Sequence, residues 1–157
     1  MKLYRIANAG PGWKADDLTG NGAALYPGRW NREGEHVVYA ATSLALAVLE
    51  TAAHIDVSGL PIRRSVVEIT VPEPVWALRS TRPRSRLPEG WDAIPSTDAS
   101  RDVGSRWYMS GASAVLVVPS VIVPEESSVL INATHAQSRR IKGKIVREFD
   151  YDRLFRR

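Results

Sequence analysis

Three polar side chains in the first third of the sequence could bind a ligand or take part in catalysis: Arg29, Tyr39 and Glu50. Arg29 follows Gly28 in a glycine-rich segment, and its guanidinium group matches the geometry of a phosphate. Tyr39 offers a flat ring on which a second ring can stack. Glu50 borders an apolar helix face, where a carboxylate can act as a functional acid.

Each of these residues also has an ordinary structural interpretation. Arg29 could be a surface arginine, and Tyr39 could be a core tyrosine whose hydroxyl reaches the rim. Glu50 could be a partly exposed carboxylate at the border of the apolar face. Residue types and spacing alone leave both interpretations open at all three positions.

Two further polar residues follow predicted strands. Ser120 comes after Pro119 and an apolar run, but it lacks the Gly-x-Ser-x-Gly turn that exposes a nucleophilic serine. Local hydrogen bonding is the simpler role for this hydroxyl. Asn132 could cap a turn or contact a ligand, and His135 could be structural.

A metal site and a standard phosphate loop have little support. Glu50 and His54 are four residues apart and could share a metal ion, but no third ligand lies at a recognisable spacing. We therefore expect no metal. The sequence contains neither a P-loop nor a Gly-x-Gly-x-x-Gly motif. Arginine and loop backbone would have to bind any nucleotide.

The elements that carry these residues are predicted from periodicity and turn residues. Residues 8–34 are rich in glycine and asparagine, which predicts a long loop that carries Arg29. Residues 36–40 are predicted to form a strand that carries Tyr39. Thr42-Ser43 supplies an N-cap, and residues 44–55 are predicted to form the helix that carries Glu50.

The rest of the chain has the pattern of a single α+β domain, residues 1–157, with short strands and few helices. A turn is expected at 59–61, an irregular segment at 79–100 and a short helix at 102–110. Strands are expected at residues 3–6, 65–71, 114–118 with an extension through 121–124, 127–132 and 144–150.

Composition excludes several classes of protein. The 157 residues include no cysteine, which excludes disulfides, thiolate metal sites and a cysteine nucleophile. No apolar stretch approaches the roughly 20 residues that cross a bilayer. The N-terminus has no apolar signal region, so we expect a cytoplasmic protein with no membrane partner.

The net charge of +4 belongs to one end of the chain. Residues 139–157 contain eight basic and three acidic residues, whereas the remainder contains 13 basic and 14 acidic residues. The basic excess therefore predicts a solvated tail or a face for an acidic partner rather than a nucleic-acid-binding body.

Short motifs in a fixed order resemble the RES-domain family over residues 4–154. Each is weak alone, but their ordered combination is specific. One departure is Asn132-Ala133-Thr134-His135, where the family usually has Asn-Pro-x-His; the missing proline should loosen that turn. The motifs are Gly28-Arg29-Trp30-Asn31, Gly34, Val38-Tyr39-Ala40, Ala47-Val48-Leu49-Glu50, Gly104-Ser105-Arg106-Trp107, Val118-Pro119-Ser120, Leu130-Ile131-Asn132 with His135, and Phe149-Asp150-Tyr151-Asp152-Arg153-Leu154.

The resemblance implies a fold like that of ADP-ribosyltransferases of the diphtheria-toxin kind. It also implies a toxin of a bacterial toxin–antitoxin pair that consumes NAD+ by hydrolysis or phosphorolysis, or transfers ADP-ribose to a protein. The family is named after an Arg, a Glu and a Ser. Here these resemble Arg29, Glu50 and Ser120, with Ser127 and Ser128 as nearby alternatives for the serine.

The resemblance further implies roles in cleaving the nicotinamide–ribose bond, with NAD+ as the substrate and no metal. Glu50 would stabilise the positive charge that develops on the ribose. Arg29 would hold the pyrophosphate or a ribose, and Tyr39 would stack on the nicotinamide. Hydrogen bonds and contacts to NAD+ would come from Ser120, Asn132, Trp30 and Asn31.

The same resemblance implies an Xre-type antitoxin that covers the active site. It also suggests a homodimer within the toxin–antitoxin complex, with nucleic acid contacted only through the antitoxin. Two alternatives to NAD+ depletion stay open. One is a protein ADP-ribosyltransferase that uses the same pocket, and the more remote one is a non-enzymatic basic binding module.

Overall fold

The computed structural model describes residues 1–53 and 64–151. Within them, the sheet has seven strands in the order β4-β5-β6-β2-β1-β3-β7. Neighbouring strands are antiparallel except β4 and β5, which are parallel. The strands are β1 (Lys2–Asn8), β2 (Val37–Ala41), β3 (Arg64–Thr70), β4 (Ser80–Thr81), β5 (Val115–Pro119), β6 (Ser127–Asn132) and β7 (Lys142–Phe149).

Few helices accompany the sheet in the described ranges. The α-helices are α1 (Asn21–Leu25), α2 (Leu44–Ala52), α3 (Glu73–Ala77) and α4 (Asp98–Ser110), and 3-10 turns occupy Arg84–Arg86 and Ala136–Arg140. None of these helices has the length and apolar composition needed to cross a membrane. The α+β class with short strands is therefore confirmed.

The two faces of the sheet bury different clusters because side chains alternate along each strand. In β2, Val38 and Ala40 join the core on one face, which also contains Val67, Val115 and Val129 of other strands. On the opposite face, Val37 and Tyr39 pack with Trp30, Trp91 and Trp107. Ala41, next along that face, packs with Leu46 and Ala47 of α2. The chemistry-bearing residues lie on this second face.

Local signals predicted most elements that carry the site. The Ser43 hydroxyl accepts a hydrogen bond from the Leu46 amide at 3.1 Å, so the predicted N-cap of α2 is confirmed. The strand predicted at 127–132 is β6. The loop at 8–34 additionally contains α1, and α4 begins at Asp98 rather than 102. The first residues of α4 are mostly polar, so the sequence shows no apolar periodicity there that would predict a helix.

The strand extension predicted for residues 121–124 is wrong. The chain turns there instead, because the Ser120 hydroxyl accepts hydrogen bonds from the Ile122 and Val123 amides, both at 3.1 Å. The Glu126 amide then donates to the Val123 carbonyl at 2.9 Å, which closes the turn before β6. The end of the predicted helix, the turn at 59–61 and His54 lie outside the described residues.

Candidate active site

The structure joins Glu50 to two serines, and we call this group the glutamate centre (Glu50, Ser120 and Ser128). The Ser120 hydroxyl donates to Glu50 Oε1 at 2.7 Å. The Ser128 hydroxyl lies 3.3 Å from the same oxygen. Two donors on one oxygen fix the orientation of the carboxylate.

Ser120 is built into the protein rather than presented to solvent. The residue is 1% exposed. The oxygen accepts from two backbone amides, so the single hydroxyl hydrogen is left to point at Glu50. This geometry makes Ser120 a positioning group for the carboxylate. Ser127 is different, because in the described ranges its hydroxyl makes no hydrogen bond, while its backbone carbonyl accepts from the amide and the hydroxyl of Thr42.

Strand pairing and a short connection create the glutamate centre. Ser128 of β6 lies opposite Ala41 of β2 and opposite Val118 of β5. Helix α2, which carries Glu50, starts three residues after β2 ends. The Ser43 hydroxyl also donates to Glu126 Oε2 at 2.6 Å and so ties the start of α2 to the turn that carries Ser120.

Arg29 holds a second segment beside this carboxylate. Its Nη1 donates to the carbonyls of Trp91 at 2.9 Å and Ala93 at 2.8 Å. Burial lowers the pKa of the Arg29 guanidinium, and the negative charge of Glu50 opposes that shift. Within the described ranges, no protein group accepts a hydrogen bond from its Nε or Nη2. These N–H groups can therefore serve an anion.

The backbone around Arg29 is fixed by a short network, and we call residues 28–31 the arginine loop. The Tyr39 hydroxyl donates to Asn31 Oδ1 at 2.8 Å and accepts from the Trp30 amide at 3.0 Å. Burial raises the pKa of Tyr39, which keeps this hydroxyl neutral and able to donate. A Cβ at Gly28 would lie 2.7 Å from the Tyr39 hydroxyl oxygen, so this close approach requires glycine.

Trp30 and Asn31, which the resemblance assigns to NAD+ contacts, are the buried residues of the arginine loop. Trp30 is 3% exposed and stacks on Trp91 with ring centroids 5.9 Å apart. Asn31 is fully buried, and its amide donates to the carbonyls of Ala23 at 2.9 Å and Arg32 at 3.0 Å. Through these contacts both residues support the backbone that carries Arg29, and contact of either residue with NAD+ stays a prediction.

The structure does not bring Asn132 to the glutamate centre. Asn132 pairs with Val37, four residues along β6 from Ser128, which corresponds to about 13 Å. Its Oδ1 accepts from the amide of Thr134 at 3.0 Å and from its hydroxyl at 2.7 Å. Asn132 therefore caps a turn, the alternative that the sequence left open. His135 similarly accepts from the Gln137 amide at 3.1 Å.

One buried carboxylate, Glu35, is not predicted by any pattern in the sequence. Glu35 is 7% exposed and accepts hydrogen bonds from the Ser105 hydroxyl of α4 and, at 2.7 Å, from the Arg32 amide. It thereby links the end of the arginine loop to α4. Its partner in α4 is 70 residues away, and a contact of that range leaves no local pattern. In the described ranges, no three metal-ligating side chains come together.

Comparisons with known proteins agree with one another. Residues 2–153 match the family model described as RES domain. The chain is 47% identical over 150 residues to a Sphingobium sp. (strain YBL2) protein named "Prs ADP-ribosylating toxin", covering 96% of this chain and 93% of the relative. It is 36% identical over 135 residues to "Toxin Res" of Yersinia enterocolitica, covering 86% of each.

A solved structure has a similar fold. It is a chain from the crystal structure of the M. tuberculosis MbcT-MbcA toxin-antitoxin complex, with a TM-score of 0.66 over 95% of this chain and 82% of that one. The sequence identity is 18%. At that level the likeness concerns the arrangement of strands and helices alone.

Proposed function

This chain belongs to the RES domain family, and from that premise we propose that it is a bacterial toxin that cleaves the nicotinamide–ribose bond of NAD+. The observation that carries the proposal is the convergence of Ser120 and Ser128 on Glu50 Oε1. In this arrangement the signature serine, Ser120, donates a hydrogen bond to the signature glutamate, Glu50, and orients its carboxylate. The signature arginine, Arg29, lies close enough for its charge to interact with Glu50.

The reaction suits a single carboxylate. As the nicotinamide–ribose bond breaks, its electron pair leaves with the nicotinamide nitrogen and positive charge develops at the ribose carbon. The nicotinamide leaves as a neutral molecule, so a second carboxylate acting as a strong acid is not required. Glu50, held by Ser120 and Ser128, would stabilise the developing charge or orient a ribose hydroxyl.

Arg29 would bind the negative part of the substrate. The Nη1 atom binds the carbonyls of Trp91 and Ala93, whereas Nε and Nη2 can donate to a phosphate. Partial burial strengthens such a contact because the local dielectric is lower than that of water. Tyr39 keeps the proposed stacking role for its ring, and its hydroxyl fixes the arginine loop.

Two kinds of acceptor are compatible with this site, a small molecule or a protein. Transfer to water or phosphate would make the chain a NAD+ glycohydrolase or phosphorylase that depletes NAD+ and arrests growth. Transfer to a protein would make it an ADP-ribosyltransferase, and one observation favours this second candidate. The Sphingobium relative, 47% identical over nearly the whole chain, is named an ADP-ribosylating toxin, and its name makes Prs the first acceptor to test.

We also propose an antitoxin that restrains the chain by covering this site. The solved structure with a similar fold is that of a toxin–antitoxin complex, which supports such a partner here. An Xre-type antitoxin, a toxin homodimer within the complex, contact with nucleic acid only through the antitoxin and action in the cytoplasm belong to the same proposal. A toxin that acts on NAD+ must be held inactive until it is released.

Product analysis tests the proposal. Purified chain, free of antitoxin, is incubated with NAD+ with and without phosphate, and separately with labelled NAD+ and cell lysate. Nicotinamide release is expected in at least one reaction. Free ADP-ribose indicates hydrolysis, a phosphorylated ADP-ribose indicates phosphorolysis, and label on one protein band indicates transfer. Intact NAD+ in every reaction, from a folded chain, would refute the proposal.

A further inference from the structure

We infer that a cleft beside α4 binds a small anion that carries phosphate, at a place separate from Glu50 and Arg29. The cleft lies between residues 82–88 and α4 and has a volume of about 500 Å³. This is within the range of small-molecule sites. Its lining includes Arg82, Arg86 and Arg106, together with Ser85, Leu87 and Val103.

The charges of this cleft are not balanced by the protein. No acidic side chain lines it. In residues 1–53 and 64–151, the guanidinium groups of Arg86 and Arg106 donate no hydrogen bond and form no ion pair. The Arg82 guanidinium donates to the Thr81 carbonyl at 3.3 Å. Three guanidinium groups around one concavity repel each other and concentrate a positive potential inside it.

Neighbouring arginines outside the cleft, in contrast, form ion pairs with acidic side chains. Arg32 lies 2.6 Å from Asp102 and 3.2 Å from Asp98, and Arg101 lies 3.8 Å from Asp98. Asp102 stands one helical turn before Arg106, yet its ion pair is with Arg32. The acids of α4 thus neutralise arginines outside the cleft and leave those inside it available for an external anion.

The side chains indicate the chemistry of that anion. A guanidinium group donates two parallel hydrogen bonds to phosphate oxygens, and three such groups suit more than one phosphate. The Ser85 hydroxyl adds a neutral donor. Leu87 and Val103 provide an apolar wall that fits a sugar or a base. Inorganic pyrophosphate and a nucleoside diphosphate both offer phosphate oxygens to the arginines. Only the nucleoside diphosphate has a sugar and a base that could contact this wall.

Calorimetric titration of the full chain tests the inference. The probes are inorganic pyrophosphate and ADP at a constant, physiological ionic strength. We expect Arg86→Gln and Arg106→Gln each to weaken pyrophosphate binding about tenfold, the loss of a charged hydrogen bond. Arg139→Gln, at an arginine outside the cleft, is the matched control and should bind as the native chain does. Tighter binding of ADP than of pyrophosphate would assign a role to the apolar wall.

Three results would overturn the inference. They are the absence of pyrophosphate binding to the native chain, equal binding by the native chain and both cleft variants, and an equal loss in Arg139→Gln. Arg29→Gln separates this cleft from the NAD+ site. If pyrophosphate binding disappears in Arg29→Gln and persists in Arg86→Gln, the anion binds at the arginine loop instead. Thermal unfolding of each variant verifies that it is folded.

Discussion

The glutamate centre and the backbone of the arginine loop are fixed by hydrogen bonds of very different range along the chain. Ser120 and Ser128 reach Glu50 from 70 and 78 residues away. Asn31, in contrast, binds the Gly28 amide across three residues and the Tyr39 hydroxyl across eight. The first region depends on the pairing of distant strands. The backbone of the second is held mainly by its own local sequence, and only the Arg29 side chain reaches distant carbonyls, those of Trp91 and Ala93.

Because of this difference, we expect substitutions in the glutamate centre to reduce activity and substitutions in the arginine loop to reduce stability. The glutamate centre is partly exposed and its bonds orient a charged group, so its loss should affect chemistry more than folding. The arginine loop buries an amide whose hydrogen bonds are all internal. Leaving buried polar groups without partners is costly, so its loss should affect the fold first.

Glu50→Gln should have the largest effect on activity. The amide keeps the size of the side chain but cannot offer a negative charge to the ribose, so NAD+ cleavage should fall about a thousandfold. Nicotinamide release measures this, and the melting temperature should change little. Glu89→Gln, at an exposed glutamate, is the control. A folded Glu50→Gln chain with the native cleavage rate would remove Glu50 from the mechanism.

Asn31→Ala should have the largest effect on stability. It leaves the Gly28 amide and the Ala23 carbonyl without their side-chain partner inside the protein. The free energy of unfolding, measured by urea denaturation, should fall by about 3 kcal/mol. Asn8→Ala, at the exposed end of β1, should cost far less. Similar losses for the two variants would contradict the view of Asn31 as the centre of the loop.

Tyr39→Phe should cost about 2 kcal/mol at pH 7, because it removes the hydrogen bonds to Asn31 and Trp30. Burial raises the pKa of Tyr39 above its ordinary value of 10.0. Below pH 10 the hydroxyl is neutral in the folded and unfolded states, and its contribution to stability is complete. Above pH 10 the unfolded chain loses the proton first, so the free energy of unfolding falls as pH rises.

The alkaline behaviour provides the measurement for Tyr39. Urea denaturation between pH 7 and 11 should give Tyr39→Phe a shallower loss of stability than the native chain, by up to about 1.4 kcal/mol per pH unit. Tyr26→Phe, at a tyrosine that is 83% exposed, should retain the native slope. Equal slopes for the native chain and Tyr39→Phe would argue against a buried, neutral hydroxyl.

The two serines should differ in a graded way, with the smallest effect at Ser128. Ser120 lies 2.7 Å from Glu50 Oε1 and also serves two backbone amides, so Ser120→Ala should reduce NAD+ cleavage about tenfold. The Ser128 hydroxyl is farther from this oxygen, at 3.3 Å, so Ser128→Ala should reduce NAD+ cleavage only about threefold. The reverse order would make Ser128 the principal partner of Glu50.

Much of the local structure was readable from the sequence. The Ser43 cap, the start of α2 and the bounds of β6 follow from residue types within a few positions. The extension at 121–124 failed for an instructive reason. Its β-branched residues favour a strand, but the Ser120 hydroxyl binds the amides that a strand would have used.

The site was readable only in part. Residue types indicate Glu50 and Ser120 individually, and the resemblance groups them in one signature. The contact between them is not predictable from either, because it depends on strand register and on the turn after β5. The resemblance places Trp30 and Asn31 at the ligand, and the structure shows both buried within the arginine loop. Asn132 was expected in the same site, yet it caps a turn at the far end of β6.

The amino-acid sequence by itself determined the local elements, the order of the motifs and the kinds of side chain available for chemistry. Caps, turns and periodicity act over a few residues, and for this reason they can be read without a structure. Only the tertiary structure decided which of those side chains meet. Register across the sheet and the turn after β5 brought Ser128 and Ser120 to Glu50, and burial placed the Asn31 side chain in hydrogen bonds that support the backbone around Arg29.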